Sequence, residues 1–497
     1  MTFVTKKMRR RKGMKKNRSY QQYQEKKRKI LGKTVVGIDP AKEKHQVTVV
    51  DGEGLQVGGT FSIPVNFRGY NEELWNKLGR IVGSFGPEDV VFAVETSCNL
   101  WKTIVVYLSK KGYTVMLVSP LVTYQSRPMM NNDYSKTDPK DALLIADNAH
   151  KGHYSPYRGY SPEINELHSL CIAYDKLTKD RSRNTARLRA LLEEIFPEYP
   201  ECLNVGIDTS LYLLERYFLP EHFQSLNIKE EAANIYRISR GNHGLETLQK
   251  LKEHAQQSIG VGKAGEEAGV RLVLDAWTAE IKQLGKSIDA ISGRMIELAQ
   301  RNEYFEILTS LMGISDISAA RFIGECRDLS LFKHFKQIEK MAGLNLRLCD
   351  SGKYAGTRRI NKLGNKRLSK LVYQMTTQTA RFVPEVRIKF IKRQMKKQCY
   401  RKNIIAASPV LLKILMALIK NKRKYEYRQD KVMELARLEL KYNPEKKNKK
   451  TRRKDKKGAG EKALCCITTG QRAARRYTLK GDTQVLAEPG KALAGQI

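Results

Sequence analysis

The chain has 497 residues, and its 91 Lys and Arg against 52 Asp and Glu give a formal net charge of +39. An apolar fraction of 41% supports ordinary hydrophobic cores and argues against wholesale disorder. The excess of positive charge favours a partner that carries many phosphates, and nucleic acid is the leading candidate.

Secretion and membrane insertion are both disfavoured. No apolar stretch of the kind found in signal peptides follows the basic segment 1–30. The longest apolar run, 404–419, contains Pro409 and Lys413 and is too short to span a bilayer, so it predicts a buried helix. The eight cysteines form no CxxC pair and no zinc-type cluster, and we therefore expect reduced thiols in a cytoplasmic protein.

The basic segments also allow two other interpretations. The acid-poor N-terminus also suits an organelle transit peptide or a nuclear signal, and composition alone leaves that alternative open. An anionic membrane surface is disfavoured, because no amphipathic helix with an aromatic apolar face adjoins either basic tail. We therefore expect no membrane partner.

Composition and periodicity divide the sequence into five regions. Basic tails are expected at 1–32 and 441–497, and just over half of the charge excess lies in low-complexity runs within them. Between the tails we expect a mixed-sheet α/β domain over 33–160, long coiled-coil helices over 161–300 and a mainly helical domain over 301–440.

The α/β region begins with three apolar runs that predict strands, two of them separated by an Asp-Gly-Glu-Gly turn signal. Further strands and helices then alternate. Three antiparallel strands followed by alternating helix and strand is the order of the ribonuclease-H-like fold, although other α/β domains share it. The predicted strands are 33–38, 46–50, 55–63, 90–94 and 114–118.

Two long helices with heptad spacing follow. The first opens with Ser161 as N-cap and Pro162 at the first helical position, and Asn184 is a polar residue in its seam. The second keeps alternating spacings of four and three from Val270 to Leu298. Such seams predict a coiled coil that pairs within the chain or between chains. The stretch between them, about 202–269, is irregular and carries no chemical motif.

A turn after the second helix, Leu311-x-Gly313-Ile314, resembles a helix-hairpin-helix, whose turn amides contact a phosphate backbone. Ser315 stands where that motif has its second glycine. A plain helix-turn-helix packing unit is the alternative, because glycine before a helical run is a common turn.

Four carboxylates occupy positions where ligands collect in α/β domains. Asp39 and Glu95 each end an apolar strand, and Asp138 and Asp141 lie three residues apart at a helix start. Together they would form an oxygen-rich site for Mg²⁺, which serves phosphodiester chemistry. The alternative is structural: an acid at a strand end is often a solvated turn residue, and Asp138-Pro139-x-Asp141 is also good helix-start chemistry, with Asp138 as N-cap.

A basic block surrounds Ser351, with eight Lys and Arg and no acid from Ser351 to Val383. A serine among fixed cations is a candidate nucleophile toward a phosphodiester. By itself a Ser-Gly in a basic loop is more often a turn on a phosphate-contacting surface, and no histidine lies nearby in sequence to act as its base. The candidate nucleic-acid contacts of this block are Lys353, Arg358, Arg359, Lys362, Lys366 and Arg367.

These motifs in combination resemble the DEDD-type transposases of the one-ten family of bacterial insertion sequences. The resemblance runs over about residues 33–390 and joins the four acids to the block from Leu311 through Ser351-Gly352-Lys353 to Gly364-Asn365. One departure is Leu346, where the family usually has proline three residues after the glycine at 343.

The resemblance implies a RuvC-like domain, a coiled-coil linker and a C-terminal transposase domain. Asp39, Glu95, Asp138 and Asp141 then become Mg²⁺ ligands, and Ser351 becomes the nucleophile that forms a covalent protein–DNA intermediate. The implied partners are double-stranded DNA at the element ends and target site, a bridge RNA, and other copies of the chain in a dimer or tetramer. A bacterial, nucleoid-associated location in the cytoplasm follows.

Two other functions compete with this one. A RuvC-like structure-selective nuclease would hydrolyse DNA with metal-activated water and use Ser351 only as a phosphate contact. A noncatalytic nucleic-acid-binding protein would need only the positive charge.

Overall fold

The computed structural model describes residues 18–261, 266–347, 350–351, 354–356, 358–396 and 399–442. The chain divides after Gly159 into two compact units. The predicted tail residues 1–17 and 443–497 lie outside the described residues.

The first unit is built on one mixed sheet. Its strands are β1 Thr34–Asp39, β2 Lys44–Val50, β3 Gln56–Pro64, β4 Val90–Glu95, β5 Thr114–Val118 and β6 Ser155–Pro156. They are ordered β3-β2-β1-β4-β5-β6; β1 is antiparallel to β2 and parallel to β4, and β4 is parallel to β5. The five predicted strands are confirmed, whereas the two-residue edge strand β6 was not predicted.

Helices cover both faces of this sheet. They are α1 Arg18–Arg28, α2 Leu74–Val82 after a π-helical turn Gly69–Glu73, α3 Trp101–Lys110, α4 Pro120–Asn131 and α5 Asp138–His150. Apolar side chains from the alternating strand positions form one cluster on each face, as expected for a sheet buried on both sides. The prediction of a tail over 1–32 missed α1 and the burial of Ile30 in the core. The Lys26 carbonyl of α1 accepts a hydrogen bond from Tyr154 Oη at 3.0 Å.

The second unit is mainly helical. Its helices are α6 Pro162–Ile195, α7 Tyr199–Cys202, α8 Asp208–Leu214, α9 Pro220–Gln224, α10 Ile228–Ile238, α11 Leu245–Gln256, α12 Glu267–Gln300, α13 Phe305–Thr309, α14 Asp316–Cys326, α15 Phe335–Met341, α16 Lys366–Thr379, α17 Pro384–Gln394, α18 Tyr400–Asn421 and α19 Gln429–Lys441. Four two-residue strands are β7 Leu346–Arg347, β8 Asp350–Ser351, β9 Tyr354–Ala355 and β10 Arg359–Ile360.

The two predicted long helices are α6 and α12, each of 34 residues, and they pack against each other. Ser161 caps α6 as predicted, because its side chain accepts a hydrogen bond from the Ile164 amide. A separate hydrophobic core lies at each end of the pair. Over 282–294 the intervening part of α12 has no buried residue, so its apolar positions are only partly covered there.

The stretch 202–269 is not irregular, and that prediction was wrong. Helices α8 to α11 fold over one end of the long pair and build a core that includes Leu211, Phe223 and Leu251. The helices are short and broken by Pro, Gly and Asn, so no single period extends far enough in the sequence to be recognised.

The apolar run 404–419 lies within α18, as a buried helix, in agreement with the sequence prediction. Its length and composition would also allow it to cross a membrane. However, Leu411, Leu412 and Leu415 are fully buried in the C-terminal core, where the helix packs against α15, α16 and α17.

Candidate active site

Two of the predicted carboxylates lie side by side at one edge of the sheet. In the parallel pair of β1 and β4, Ile38 is opposite Val94, so the next residues, Asp39 and Glu95, end the two strands together. Both are partly exposed, whereas the residues that precede them are buried. The apolar strands therefore hold the two acids at the carboxyl edge, where α/β sheets bind ligands.

Helix α5 brings the other two acids to the same edge. Thr137 is its N-cap and Asp138 its first residue, so the helix begins one residue earlier than the sequence predicted. The helix approaches β1 closely because Gly37 has no side chain: a Cβ there would lie 2.3 Å from the Ala142 carbonyl oxygen and 2.7 Å from the Ala146 amide nitrogen. Asp138 is exposed and Asp141 is buried, both in the first turn of α5.

The electrostatics of Asp39 indicate that the acids lie close together. Its pKa is raised from 3.8 to about 7, first by burial and then by the negative charges of Glu95, Asp141 and Asp138, while Lys136 acts in the opposite direction. Repulsion of this kind marks a cluster whose negative charge exceeds the positive charge around it. The donors are all carboxylate oxygens, which suit a hard divalent cation.

One of the four acids already has a partner that the sequence did not predict. Arg127 of α4 donates from Nε to Asp141 Oδ1 at 2.9 Å and from Nη2 to Oδ2 at 2.8 Å, and the Asp141 side chain is 3% exposed. Among the described residues, no group of three or more His, Cys, Asp or Glu side chains is arranged to hold a metal ion. The structure brings the predicted ligands to one edge but engages the fourth in an ion pair.

The segment that carries the candidate serine forms a β-hairpin with two pairs of short strands in the second unit. Its base pairs Leu346–Arg347 with Arg359–Ile360, and nearer the tip Asp350 and Ser351 pair with Ala355 and Tyr354. Ser351 is thus paired with Tyr354. Leu346 takes part in the base of the hairpin. Lys353 lies outside the described residues.

Two glycines fix the position of this hairpin. Gly343 has a left-handed φ of 69°, and the Lys362 amide donates to its carbonyl at 2.9 Å. A Cβ on Gly364 would lie 2.5 Å from the Gly343 nitrogen and from the Met341 carbonyl oxygen. Because the entering and leaving chains touch here, neither glycine tolerates a side chain without a backbone shift.

A buried carboxylate anchors the chain where the hairpin leads into α16. Glu325, 3% exposed at the end of α14, accepts from Arg367 Nε at 2.6 Å and from Asn365 Nδ2 at 2.5 Å. Asn365 in turn caps α16 by accepting from the amides of Arg367 and Leu368. Arg367, a candidate nucleic-acid contact in the sequence, is thus ion-paired with a buried carboxylate while its own side chain stays 29% exposed. Glu325 is a residue that sequence reasoning missed.

The other candidate contacts of the basic block remain on the surface. Arg358, Arg359, Lys362 and Lys366 are all exposed. Lys362 adopts a left-handed conformation, with φ of 61°, at the exit of the hairpin. Their exposure suits contact with a phosphate backbone.

The predicted helix-hairpin-helix corresponds to α13, a turn and α14. Gly313 has φ of 100°, and a Cβ on it would lie 2.9 Å from the backbone of Gln378 and Thr379 in α16. Leu311 and Ile314, on either side, are buried in the core. Much of the turn thus packs on the protein itself, as the alternative of a packing unit predicts.

Comparisons with known proteins match both units. A DEDD transposase model of the IS110 family matches residues 36–197, and the model described as the transposase IS116/IS110/IS902 family matches residues 305–390. These ranges contain the four acids and Ser351, respectively. The chain belongs to the IS110 family of transposases.

Relatives of this transposase cover most of the chain at low identity. An uncharacterized protein of insertion element IS116 from Streptomyces clavuligerus is 26% identical over 391 residues, covering 78% of this chain and 95% of that protein. One of insertion element IS900 from Mycobacterium paratuberculosis is 21% identical over 401 residues, covering 78% and 96%. A mini-circle putative transposase for IS117 from Streptomyces coelicolor is 24% identical over 326 residues, covering 62% and 75%.

Proposed function

We propose that this transposase cleaves and exchanges the DNA strands of its insertion sequence by a Mg²⁺-dependent reaction in which Ser351 is the nucleophile and a bridge RNA provides guidance. The observation that carries the proposal is the placement of Asp39 and Glu95 at the ends of two paired parallel strands, with Asp138 and Asp141 in the first turn of the helix that packs on β1. Such an excess of carboxylate charge at a sheet edge calls for a cation. The family membership supports strand exchange as the outcome.

The four acids of the cluster would bind the ion in two groups. Asp39 and Glu95 are fixed by the strands that they end, and Asp138 by the start of α5, so these three would hold the ion, with Asp141 joining when it is free of Arg127. When bound, Mg²⁺ activates an attacking oxygen and stabilises a leaving oxygen in phosphodiester chemistry.

Ser351 would supply the attacking oxygen. A bond forms between its Oγ and phosphorus, the phosphorus–oxygen bond to one strand breaks, the serine proton passes to a base, and the departing oxygen takes up a proton. The bond energy is kept in the protein–DNA ester, so a second DNA end can reverse the step and complete exchange. Exposed Arg358, Arg359, Lys362 and Lys366 would stabilise charge on the phosphate oxygens.

Finer features belong to the same proposal. The first unit would be a RuvC-like domain of the ribonuclease-H type, and the pair α6 and α12 a coiled coil that contributes to a dimer or tetramer. The apolar positions Leu284, Ile288 and Ile291, only partly covered within the chain, support such an association. The positive charge supports binding of both DNA and RNA in a cytoplasmic, nucleoid-associated protein.

The test is to incubate the protein with Mg²⁺, labelled element-end DNA and RNA transcribed from the flanking noncoding sequence, and to measure adducts that resist SDS. We expect adducts with the wild type that disappear in Ser351→Ala, in Asp39→Asn, without Mg²⁺ and without RNA. Ser369→Ala is a matched control, since Ser369 lies in the same basic block on α16, and it should retain the adduct.

Other outcomes would select another function. DNA cleavage of equal rate in wild type and Ser351→Ala, with no adduct in either, would indicate a structure-selective nuclease that uses water. Binding of DNA with no product under any condition, unchanged in Asp39→Asn, would indicate a noncatalytic nucleic-acid-binding protein.

A further inference from the structure

A buried arginine engages one member of the carboxylate cluster. The guanidinium of Arg127 donates to both oxygens of the Asp141 carboxylate, at 2.9 and 2.8 Å. Bidentate pairs of this type are among the stronger polar contacts in proteins. A metal ion would need those same oxygens, so the guanidinium and the ion compete for Asp141.

Because Asp141 is buried, the metal ion would have to replace the Arg127 guanidinium as its positive partner. The side chains of Arg127 and Asp141 are 13% and 3% exposed. A carboxylate with so little contact with water is costly to leave without a positive partner. Asp141 is therefore expected to release Arg127 only when another cation takes its place, and Glu95 and Asp39 lie near enough to raise the pKa of Arg127 as well.

The helix that carries Arg127 is interrupted just beyond it. Pro128 follows within α4 and lacks the amide proton that would bond to the Tyr124 carbonyl. The helix ends a turn later at Asn132, which adopts a left-handed conformation with φ of 53°. The Tyr124 ring lies 5.8 Å from the guanidinium and offers it a second, aromatic contact. The last turn of α4 therefore lacks one backbone hydrogen bond of a regular helix.

We propose that Arg127 is a resident counter-ion of the carboxylate cluster, which withholds Asp141 from a divalent cation until that cation displaces the guanidinium. Metal loading is then coupled to movement of the last turn of α4. The inference rests on the proposed metal-dependent function, since it concerns the same carboxylates. It differs from a supporting role, in which Arg127 would orient Asp141 toward the ion and its loss would weaken metal binding.

The experiment is a calorimetric titration of the full chain with Mn²⁺, a probe that shares the oxygen preference of Mg²⁺. The decisive variant is Arg127→Gln, and Arg127→Lys keeps the charge but loses the planar fork. Lys136→Gln is the matched control, because Lys136 also acts on Asp39 by charge but makes no bidentate pair. Asp39→Asn reports on whether the bound metal occupies the cluster.

We expect Arg127→Gln to bind Mn²⁺ at least about tenfold more tightly than the wild type, the scale set by loss of a charge-assisted pair. Arg127→Lys should fall between them, and Lys136→Gln should change the affinity by about threefold or less, as expected for an exposed charge in water. Asp39→Asn should bind more weakly. Equal or weaker binding by Arg127→Gln than by wild type would overturn the counter-ion role.

A second measurement does not depend on the variants being equally stable. Hydrogen exchange of the peptide over 120–131 should increase when Mn²⁺ is added to the wild type, because the ion releases the Arg127 anchor of α4. No change there, with Mn²⁺ bound in an Asp39-dependent way, would refute the inference but leave the proposed metal site intact. Failure of Mn²⁺ to bind to the wild type and to Arg127→Gln alike would refute both.

Discussion

Substituting Gly37 by alanine should separate the acids of α5 from those of the strands. An added Cβ would lie 2.3 Å from the Ala142 carbonyl oxygen, whereas ordinary contacts begin at 3.4 Å, so α5 must retreat from β1 by about 1.1 Å. The obstructing atoms belong mostly to the backbone of α5 and cannot rotate away. The whole helix, with Asp138 and Asp141, must therefore shift relative to Asp39.

The expected cost has a structural and a functional part. Overpacking of a filled core costs about 1–3 kcal/mol, and backbone obstruction favours the upper half of that range. For a unit of this size such a loss lowers the melting temperature by roughly 3 °C per kcal/mol. Metal coordination tolerates only about 0.2 Å of error, so Mn²⁺ affinity should fall by about tenfold or more, and adduct formation by about 100-fold.

The assay compares Gly37→Ala with Gly79→Ala by thermal unfolding, Mn²⁺ titration and adduct formation. Gly79 lies inside α2 of the same unit, and a Cβ there meets nothing within 4 Å. That control should be more stable than the wild type by about 0.5–1 kcal/mol, because alanine replaces glycine within a helix. If Gly37→Ala keeps the stability and the Mn²⁺ affinity of the wild type, α5 does not hold the acids through its close approach to β1.

Three further predictions concern other parts of the chain. Glu325→Gln leaves Arg367 without its buried partner and should lower stability by about 3 kcal/mol, and adduct formation should fall in an assay where Mn²⁺ affinity stays unchanged. Burial lowers the pKa of His45 from 6.5 to about 4. Between those values the unfolded chain binds a proton at His45 that the folded chain does not bind, so the contribution of His45 to stability should fall by at most about 3 kcal/mol from pH 6.5 to 4. Denaturant titrations should therefore show that the free energy of unfolding of the wild type, relative to that of His45→Gln, decreases by this amount over the same range. Lys362→Gln and Lys366→Gln should each reduce the slope of log DNA affinity against log salt by about 0.9; an unchanged slope would remove that lysine from the interface.

The strands were predictable because a strand that is buried on both faces is a continuous apolar run in the sequence. Runs such as Val35-Val36-Gly37-Ile38 are apolar at every position, and the acid that ends each run is the first residue to reach the edge of the sheet. The order of strands and helices then places Asp39 and Glu95 together without knowledge of side-chain contacts. This part of the candidate site follows from periodicity and topology alone.

The partners of these acids were not predictable, because they depend on contacts between elements. Arg127 lies in a segment with two prolines that gave no clear helical period, and nothing in its spacing relates it to Asp141. Glu325 likewise lies in no sequence motif that relates it to Arg367. Both become recognisable only through burial, since a carboxylate that is 3% exposed must have a cation beside it.

The helix pair shows the same limit of a one-dimensional pattern. The heptads predicted both 34-residue helices and their contact. From heptad position alone, however, Leu284 and Ile288 would be as buried as Leu274. In the structure Leu274 is fully buried in the core at one end, while none of the residues 282–294 in the middle of α12 is buried. Heptad spacing states which face is apolar but not how much protein covers it. The partly covered middle of the pair is therefore the place where a second copy of the chain would add most to stability. Substituting Leu284 and Ile288 by glutamine should dissociate such an assembly while leaving the two end cores, and the fold, in place.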